Sequence, residues 1–284
     1  MIITNVLKLI RWQNCLIGSL TVLCGLFLLP ELPQIKTILI GIAAAFCLTA
    51  FGNIDNDIMD IKSDRVNHPD RPLSSGALKR NSAIILAIVT VTMGVILSGL
   101  MNLKCLMIAV VAVILLVAYN HRLKKVPLLS NILIAVISGL TFIFAGFLDS
   151  KYNVLEINLI TSGAIIAFLF HLGREIIKDL QDTAGDKSVD TKTFANRVVL
   201  KYVKLFVTIV FVILIAYVVI MIQILKPEIA FSVSFLFGIL IPLIVLLVRF
   251  WNNATVKSYQ YISTALKIMM PIGLATLLLA RYGV

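Results

Sequence analysis

The stretch Asn53–Gly76, NIDNDIMDIKSDRVNHPDRPLSSG, places five carboxylates and four basic side chains between two long apolar runs. Asn53, Asp57, Asp60 and Asp64 fall at i, i+4, i+7 and i+11, and Asn56, Asp60 and Asp64 at i, i+4 and i+8. On a helix these spacings put the side chains on one face, where carboxylates crowd together unless a cation lies between them. A row of this kind points to a metal-loaded anion.

The flanks of the stretch decide the fold class. Of 284 residues, 60% are hydrophobic and 14% charged, and the mean hydropathy is +1.02. A soluble domain of this size needs far more polar surface, so an all-α polytopic membrane protein is expected. Apolar segments long enough to span lie at 14–30, 35–52, 82–102, 104–120, 128–148, 154–172, 202–224, 229–248 and 262–281, nine helices in all. Lys8 and Arg11 precede the first run as in a signal peptide. Leu29-Pro30-Glu31-Leu32-Pro33 ends that run without a small-residue cleavage site, so a retained first helix is expected. With the N-terminus inside, only Lys36, Lys104, Lys151, Lys226 and Arg281 fall outside, leaving 20 of 25 Lys and Arg in cytoplasmic segments. The positive-inside rule therefore predicts a cytoplasmic N-terminus and an external C-terminus. Those basic loops account for the net charge of +11. No basic segment is interleaved with aromatics, which argues against nucleic acid as a partner. Cys15, Cys24, Cys47 and Cys105 stand singly, without zinc or redox spacing, and read as small apolar fillers.

Acids gather in two places. Of the 14 Asp and Glu, five lie in 53–70 and five in 174–190. In the second group Asp179, Asp182 and Asp186 again share a helical face at i, i+3 and i+7. Both groups follow an even-numbered span, so both face the cytoplasm, and their equivalent positions indicate a weak internal repeat, helices 1–4 against 5–9, with a site between the halves. A solvated loop has no reason to concentrate acids in this way, whereas carboxylates near a membrane helix end tend to mark sites. Mg²⁺ takes oxygen ligands and is typically held by one or two carboxylates plus substrate phosphates. Two opposed Asp groups would clamp a diphosphate through bridging ions, and the ions would neutralise charge on the leaving group. A diphosphate with a long apolar tail suits a pocket at the membrane boundary, and its reaction is ionisation of an allylic diphosphate with capture of the carbocation.

Asn56-Asp57-x-x-Asp60-x-x-x-Asp64 resembles the first signature of the UbiA superfamily of intramembrane prenyltransferases, and Asp182-x-x-x-Asp186 its second. Asn67-His68-Pro69-Asp70-Arg71-Pro72 is similar to the loop after the first signature, and Tyr119-x-x-x-Leu123-Lys124 to the basic motif after the fourth helix. Arg11-x-x-Asn14 resembles the start of the first helix, with Trp12 where proline is common. The resemblance covers nearly the whole chain and implies one domain over 1–284, nine helices in a bundle around a central cavity with cytoplasmic Asp-rich loops. It further implies that Asn56, Asp60, Asp64, Asp182 and Asp186 hold two Mg²⁺ on the prenyl diphosphate, with Asp57 and Asp179 as further metal candidates. Asp60, Asp64, Asp182 and Asp186 are then the catalytic set. Arg11, Asn14, Arg65, Arg71, Tyr119 and Lys124 are candidate substrate contacts, the cations because guanidinium and ammonium pair well with phosphate.

Arg174-Glu175-x-x-Lys178-Asp179-x-x-Asp182-x-x-Gly185-Asp186 resembles the digeranylgeranylglyceryl phosphate synthase branch. That likeness implies transfer of geranylgeranyl from its diphosphate to the lipophilic acceptor geranylgeranylglyceryl phosphate, with Arg174 and Lys178 on the acceptor's phosphate. An aromatic or quinone-precursor acceptor is the alternative within the superfamily, and a cation-coupled membrane transporter the alternative outside it. A transporter would place its acids near mid-span on broken helices. His68, His121 and His171 lack zinc spacing. Phe142, Phe144 and Phe147 read by default as lipid-facing packing, with the lining of a tail tunnel or cation–π stabilisation of a carbocation as the alternatives.

Overall fold

Backbone polar groups find no partners in hydrocarbon, so the long apolar runs of this chain have one outcome, the helix. A computed structural model describes residues 2–149, 151, 158–188 and 193–281, and they form thirteen α-helices with no strand among the described residues. The first half comprises α1 (Ile2–Leu9), α2 (Trp12–Phe27), α3 (Ile35–Met59), α4 (Ile61–Asn67), α5 (Arg80–Met101) and α6 (Leu103–His121). The second comprises α7 (Leu129–Phe147), α8 (Asn158–Ser188), α9 (Phe194–Arg197), α10 (Leu200–Leu225), α11 (Ile229–Phe235), α12 (Ile241–Asn252) and α13 (Val256–Leu279). Eight described helices are long and apolar enough to cross a membrane, with α11 and α12 counted as one, and a ninth is added if α1 and α2, bent by 57°, form one span. The nine expected spans are recovered on that reckoning.

The acid clusters differ from their expected setting. The second span does not stop near residue 52 but runs on to Met59, and the sixth continues to Ser188. Most of the acids therefore sit on extensions of spanning helices rather than in loops, because no proline and only Gly52 interrupts 42–59, and none interrupts 158–184 except Gly163 and Gly173. α3 breaks only at Asp60 (φ −94°, ψ 6°). Even there the Asp60 amide donates to the Asn56 carbonyl at 2.9 Å and the Asp64 amide to the Asp60 carbonyl at 2.8 Å, so the carboxylate row stays close to helical register.

Lipid tails are as apolar as leucine, so helix association here depends on close packing at small residues. A Cβ on Gly25 would lie 2.5 Å from that of Ala145, which fixes how near α2 comes to α7. One on Gly139 would lie 3.0 Å from the Ala164 carbonyl oxygen, with the same consequence for α7 and α8. Ile85, Ile88 and Ile96 on α5 and Val212, Ile213 and Ile220 on α10 remain exposed, as lipid-facing residues should. The turn Leu236–Leu240 is a π-helix. Pro242 follows inside the start of α12 and lacks the N–H that a regular helix would direct back into that turn.

Candidate functional site

Arg11 sits in the left-handed region (φ 50°, ψ 60°) at the bend between α1 and α2. A non-glycine residue there costs on the order of 1–3 kcal/mol and persists only where its surroundings hold it. The hold is Asp57, buried on α3, which is ion-paired with the Arg11 guanidinium. Asp57 also faces Arg71 Nη1 at 3.4 Å, and the same nitrogen donates to Asp64 Oδ2 at 2.5 Å. Two carboxylates on α3 and α4 thus grip two guanidiniums. Burial pushes the Asp64 carboxyl above the usual carboxylate range, an effect that Arg71 only partly offsets. Asp60 pairs with Lys124, which distinguishes Lys124 from its neighbour Lys125. Asp55, one face round, accepts from Asn120 Nδ2 at 2.7 Å and lies 3.3 Å from His121 Nε2.

The second acidic segment meets the first directly. Asn67 Nδ2 donates to the Asp182 carbonyl at 2.8 Å, and His68 Nε2 lies 3.2 Å from Asp182 Oδ1. Further back along α8, Asp179 accepts from Asn131 Nδ2 at 2.9 Å, and the buried Glu175 accepts from Arg174 at 2.7 Å and Lys178 at 3.2 Å. The Asp186 side chain lies outside the described residues.

Of these groups Arg11, Arg71, Asn120, Arg174, Glu175 and Lys178 line a cavity of about 510 Å³, whereas Asp60, Lys124, Asp179 and Asp182 are not among its lining residues. Its polar end is lined by Arg11, Arg71, Arg174, Lys178 and Lys267 together with Asn14, Asn56 and Tyr119, and Glu175 is the carboxylate among them. The carboxylates Asp57 and Asp64 stand behind the lining and orient its cations. The rest of the cavity is apolar and reaches Phe142, Gly163 and Leu277. Among the sequence candidates, Arg11, Asn14, Asn56, Arg71, Tyr119, Arg174 and Lys178 therefore come together on one surface. Arg65 does not join them and is exposed on α4.

Lys267 and Glu175 were missed as site residues by sequence reasoning. Lys267 carried a signal, since a lone lysine inside an apolar span is a site candidate by default. It donates to Gln13 Oε1 at 3.3 Å, linking α13 to α2. Pro271, four residues on, cannot donate to the Lys267 carbonyl, so α13 lacks one backbone bond at the level where that lysine reaches the cavity.

Among the described residues no three His, Cys, Asp or Glu side chains converge as a ready-made metal site. The donors are nevertheless all oxygen, from Asn56, Asp60, Asp64 and Asp182, and the carboxylates face Lys124, Arg71 and the His68 imidazole rather than one another. That set fits Mg²⁺, which needs one or two carboxylates and completes its shell with water and phosphate.

A bundle of membrane-spanning helices around a cavity with a cation-rich head and an apolar shaft is the class these observations define. Residues 19–266 match the UbiA prenyltransferase family, and the chain belongs to that family. It is 35% identical over 188 residues to a digeranylgeranylglyceryl phosphate synthase from Thermococcus sibiricus, an alignment spanning 66% of this chain and 66% of that relative. A solved structure described as giving insight into digeranylgeranylglyceryl phosphate synthase in membranes covers 99% of both chains at 27% identity with a TM-score of 0.76. The fold is shared with a UbiA homologue from Archaeoglobus fulgidus bound to GPP and Mg²⁺, at 18% identity and a TM-score of 0.66 over 96% of this chain and 99% of that one.

Proposed function

We propose that the chain transfers a geranylgeranyl group from its diphosphate to geranylgeranylglyceryl phosphate, with Mg²⁺ required and diphosphate released. One observation carries this reading. The Asn67 and His68 contacts to Asp182 bring the two acid rows together, and Arg11 and Arg71, paired with Asp57 and Asp64 of the first row, line the polar end of a largely apolar cavity. An amphiphile with a diphosphate head and an isoprenoid tail matches that polarity from end to end.

In this reading Asn56, Asp60 and Asp64 on one side and Asp182 and Asp186 on the other hold two Mg²⁺, with Asp57 and Asp179 supporting their neighbours. Bound Mg²⁺ would neutralise the charge that develops on the leaving diphosphate. Arg11, Arg71 and Lys124, oriented by Asp57, Asp64 and Asp60, pair with phosphate oxygens. The bond from C1 to the diphosphate oxygen breaks and its electron pair leaves with diphosphate. The acceptor hydroxyl oxygen then bonds to C1 and releases its proton, giving an ether. Arg174 and Lys178, held by Glu175, take the acceptor's phosphate. The GPP and Mg²⁺ in the A. fulgidus homologue and the names of the 27% and 35% identical relatives support the assignment. The unit is one domain over 1–284, with the N-terminus and acid rows on the cytoplasmic side of the cell membrane.

A purified-enzyme screen tests it, pairing prenyl diphosphates with phosphoglycerol and aromatic acceptors. An ether product from the phosphoglycerol acceptor is expected, and product from an aromatic acceptor alone contradicts the assignment.

A further inference from the structure

Ether formation releases a proton from the acceptor's hydroxyl, and the carboxylates described above are already engaged. Asp57 and Asp64 pair with Arg11 and Arg71, Asp60 with Lys124, and Glu175 with Arg174 and Lys178. Among the described residues that line the cavity, Glu175 is the one carboxylate, held between two cations.

One lining residue of another kind is unused. His171 is the only ionisable side chain between Asn158 and Gly173, and it lines the same cavity. An ionisable group inside an apolar span is a site candidate by default. His171 Nδ1 lies 2.9 Å from the Ala167 carbonyl oxygen, one turn back. A carbonyl only accepts, so Nδ1 carries the hydrogen and donates it. In the neutral ring the lone pair is then on Nε2. Nε2 makes no hydrogen bond among the described residues. Phe170 meets the ring edge-on, with centroids 6.4 Å apart and planes at 72°.

His171, Arg174, Glu175 and Lys178 fall at i, i+3, i+4 and i+7, on one face of α8. At the helical rise His171 stands about 4.5 Å from Arg174 along the axis, on the side towards the apolar shaft. In geranylgeranylglyceryl phosphate the free hydroxyl is on the carbon next to the phosphorylated one. Its oxygen is four bonds from phosphorus, about 5 Å when extended. With the phosphate on Arg174 and Lys178, that hydroxyl comes level with His171.

We propose that His171 Nε2 is the base that takes the acceptor's hydroxyl proton, an inference that rests on the prenyl-transfer reading above. The bond from C1 to the diphosphate oxygen breaks, and its electron pair leaves with diphosphate. A lone pair of the hydroxyl oxygen bonds to C1, and the O–H electron pair stays on the ether oxygen. The proton moves to the Nε2 lone pair, giving an imidazolium that later returns it to water.

The test measures the single-turnover rate of ether formation from geranylgeranyl diphosphate and geranylgeranylglyceryl phosphate, both saturating, in wild type, His171→Asn and His171→Gln. Asparagine offers an amide donor where Nδ1 stands and no atom where Nε2 stands, whereas glutamine puts its amide near Nε2. Neither amide is a base, and either variant serves if the other does not fold. The rate should fall about 100-fold or more in both, the scale of losing a positioned base. The acceptor concentration giving half the maximal rate should stay within about twofold of wild type. A fall of less than about tenfold in a folded variant overturns the role of His171 and leaves prenyl transfer standing. A loss that more acceptor restores overturns it too, because His171 is then a binding contact. A folded wild type that forms no ether from these substrates overturns both readings.

Discussion

Glu175 is buried on α8 between Arg174 and Lys178, and its partners face the cavity while it stabilises them. Replacing it with Gln leaves two cations in place but removes the charge that fixes them, and disrupting a buried charge pair is expensive. Glu175→Gln should raise KM for a phosphate-bearing acceptor at least about tenfold and leave the prenyl diphosphate KM nearly unchanged. Steady-state kinetics with each substrate varied in turn would show it, and equal effects on both would contradict the division of labour. Asp57 makes the complementary case, since among the described residues it pairs with both Arg11 and Arg71. Asp57→Asn should cost about 3 kcal/mol of stability, the usual consequence of breaking a buried pair, and weaken prenyl diphosphate binding as well. Asp64 has a pH signature. Its folded carboxyl lies above the ordinary range through burial, so the ligand-free fold favours the protonated form. That contribution is present at acid pH and is lost as pH rises through the elevated value. Thermal melts of the ligand-free protein across the acid range should show this slope, and Asp64→Asn should flatten it.

At the scale of elements, the decisive fact is that the acid rows ride on the ends of α3, α4 and α8. Inserting one alanine between Met59 and Asp60 should rotate everything beyond it by about 100°. The contacts of Asn67 and His68 with Asp182 would be lost, and diphosphate release should fall by about 100-fold or more, the scale of losing preorganised charge stabilisation. Retained activity would mean that the rows need not face each other. The same elements show what the sequence made legible. Spacing alone put Asn56, Asp60 and Asp64 on one helical face, and the helix runs through them with a single break. The extension of the spans was harder to see, because charged residues signal a loop to any hydropathy argument, although Asp57 and Asp64 have their partners inside the fold. Lys267 was overlooked because one lysine barely disturbs an apolar window of α13. Glu175 was overlooked because its role appears only once Arg174 and Lys178 are seen pointing at the same space.

The whole molecule divides into a lipid-facing exterior of large aliphatic side chains and an interior shaft that changes from cationic to apolar along its length. The proposed orientation rests on basic-residue bias. Cysteine substituted for Arg65, exposed beside the acid rows, should react with an impermeant maleimide only from the cytoplasmic side, and cysteine at position 226 only from the outside. Reversed labelling would invert the assignment. Depth, charge and enclosure are properties of the bundle and belong to no local motif, which explains why tail length could not be read from the chain. The central claim is that two opposed acid rows support ionisation of a prenyl diphosphate at the membrane. Release of diphosphate from labelled geranylgeranyl diphosphate by the purified protein measures it most directly. Release should require Mg²⁺ and fall about 100-fold or more in a folded Asp60→Asn variant; release that is indifferent to Mg²⁺ or to that substitution would contradict ionisation between the two rows.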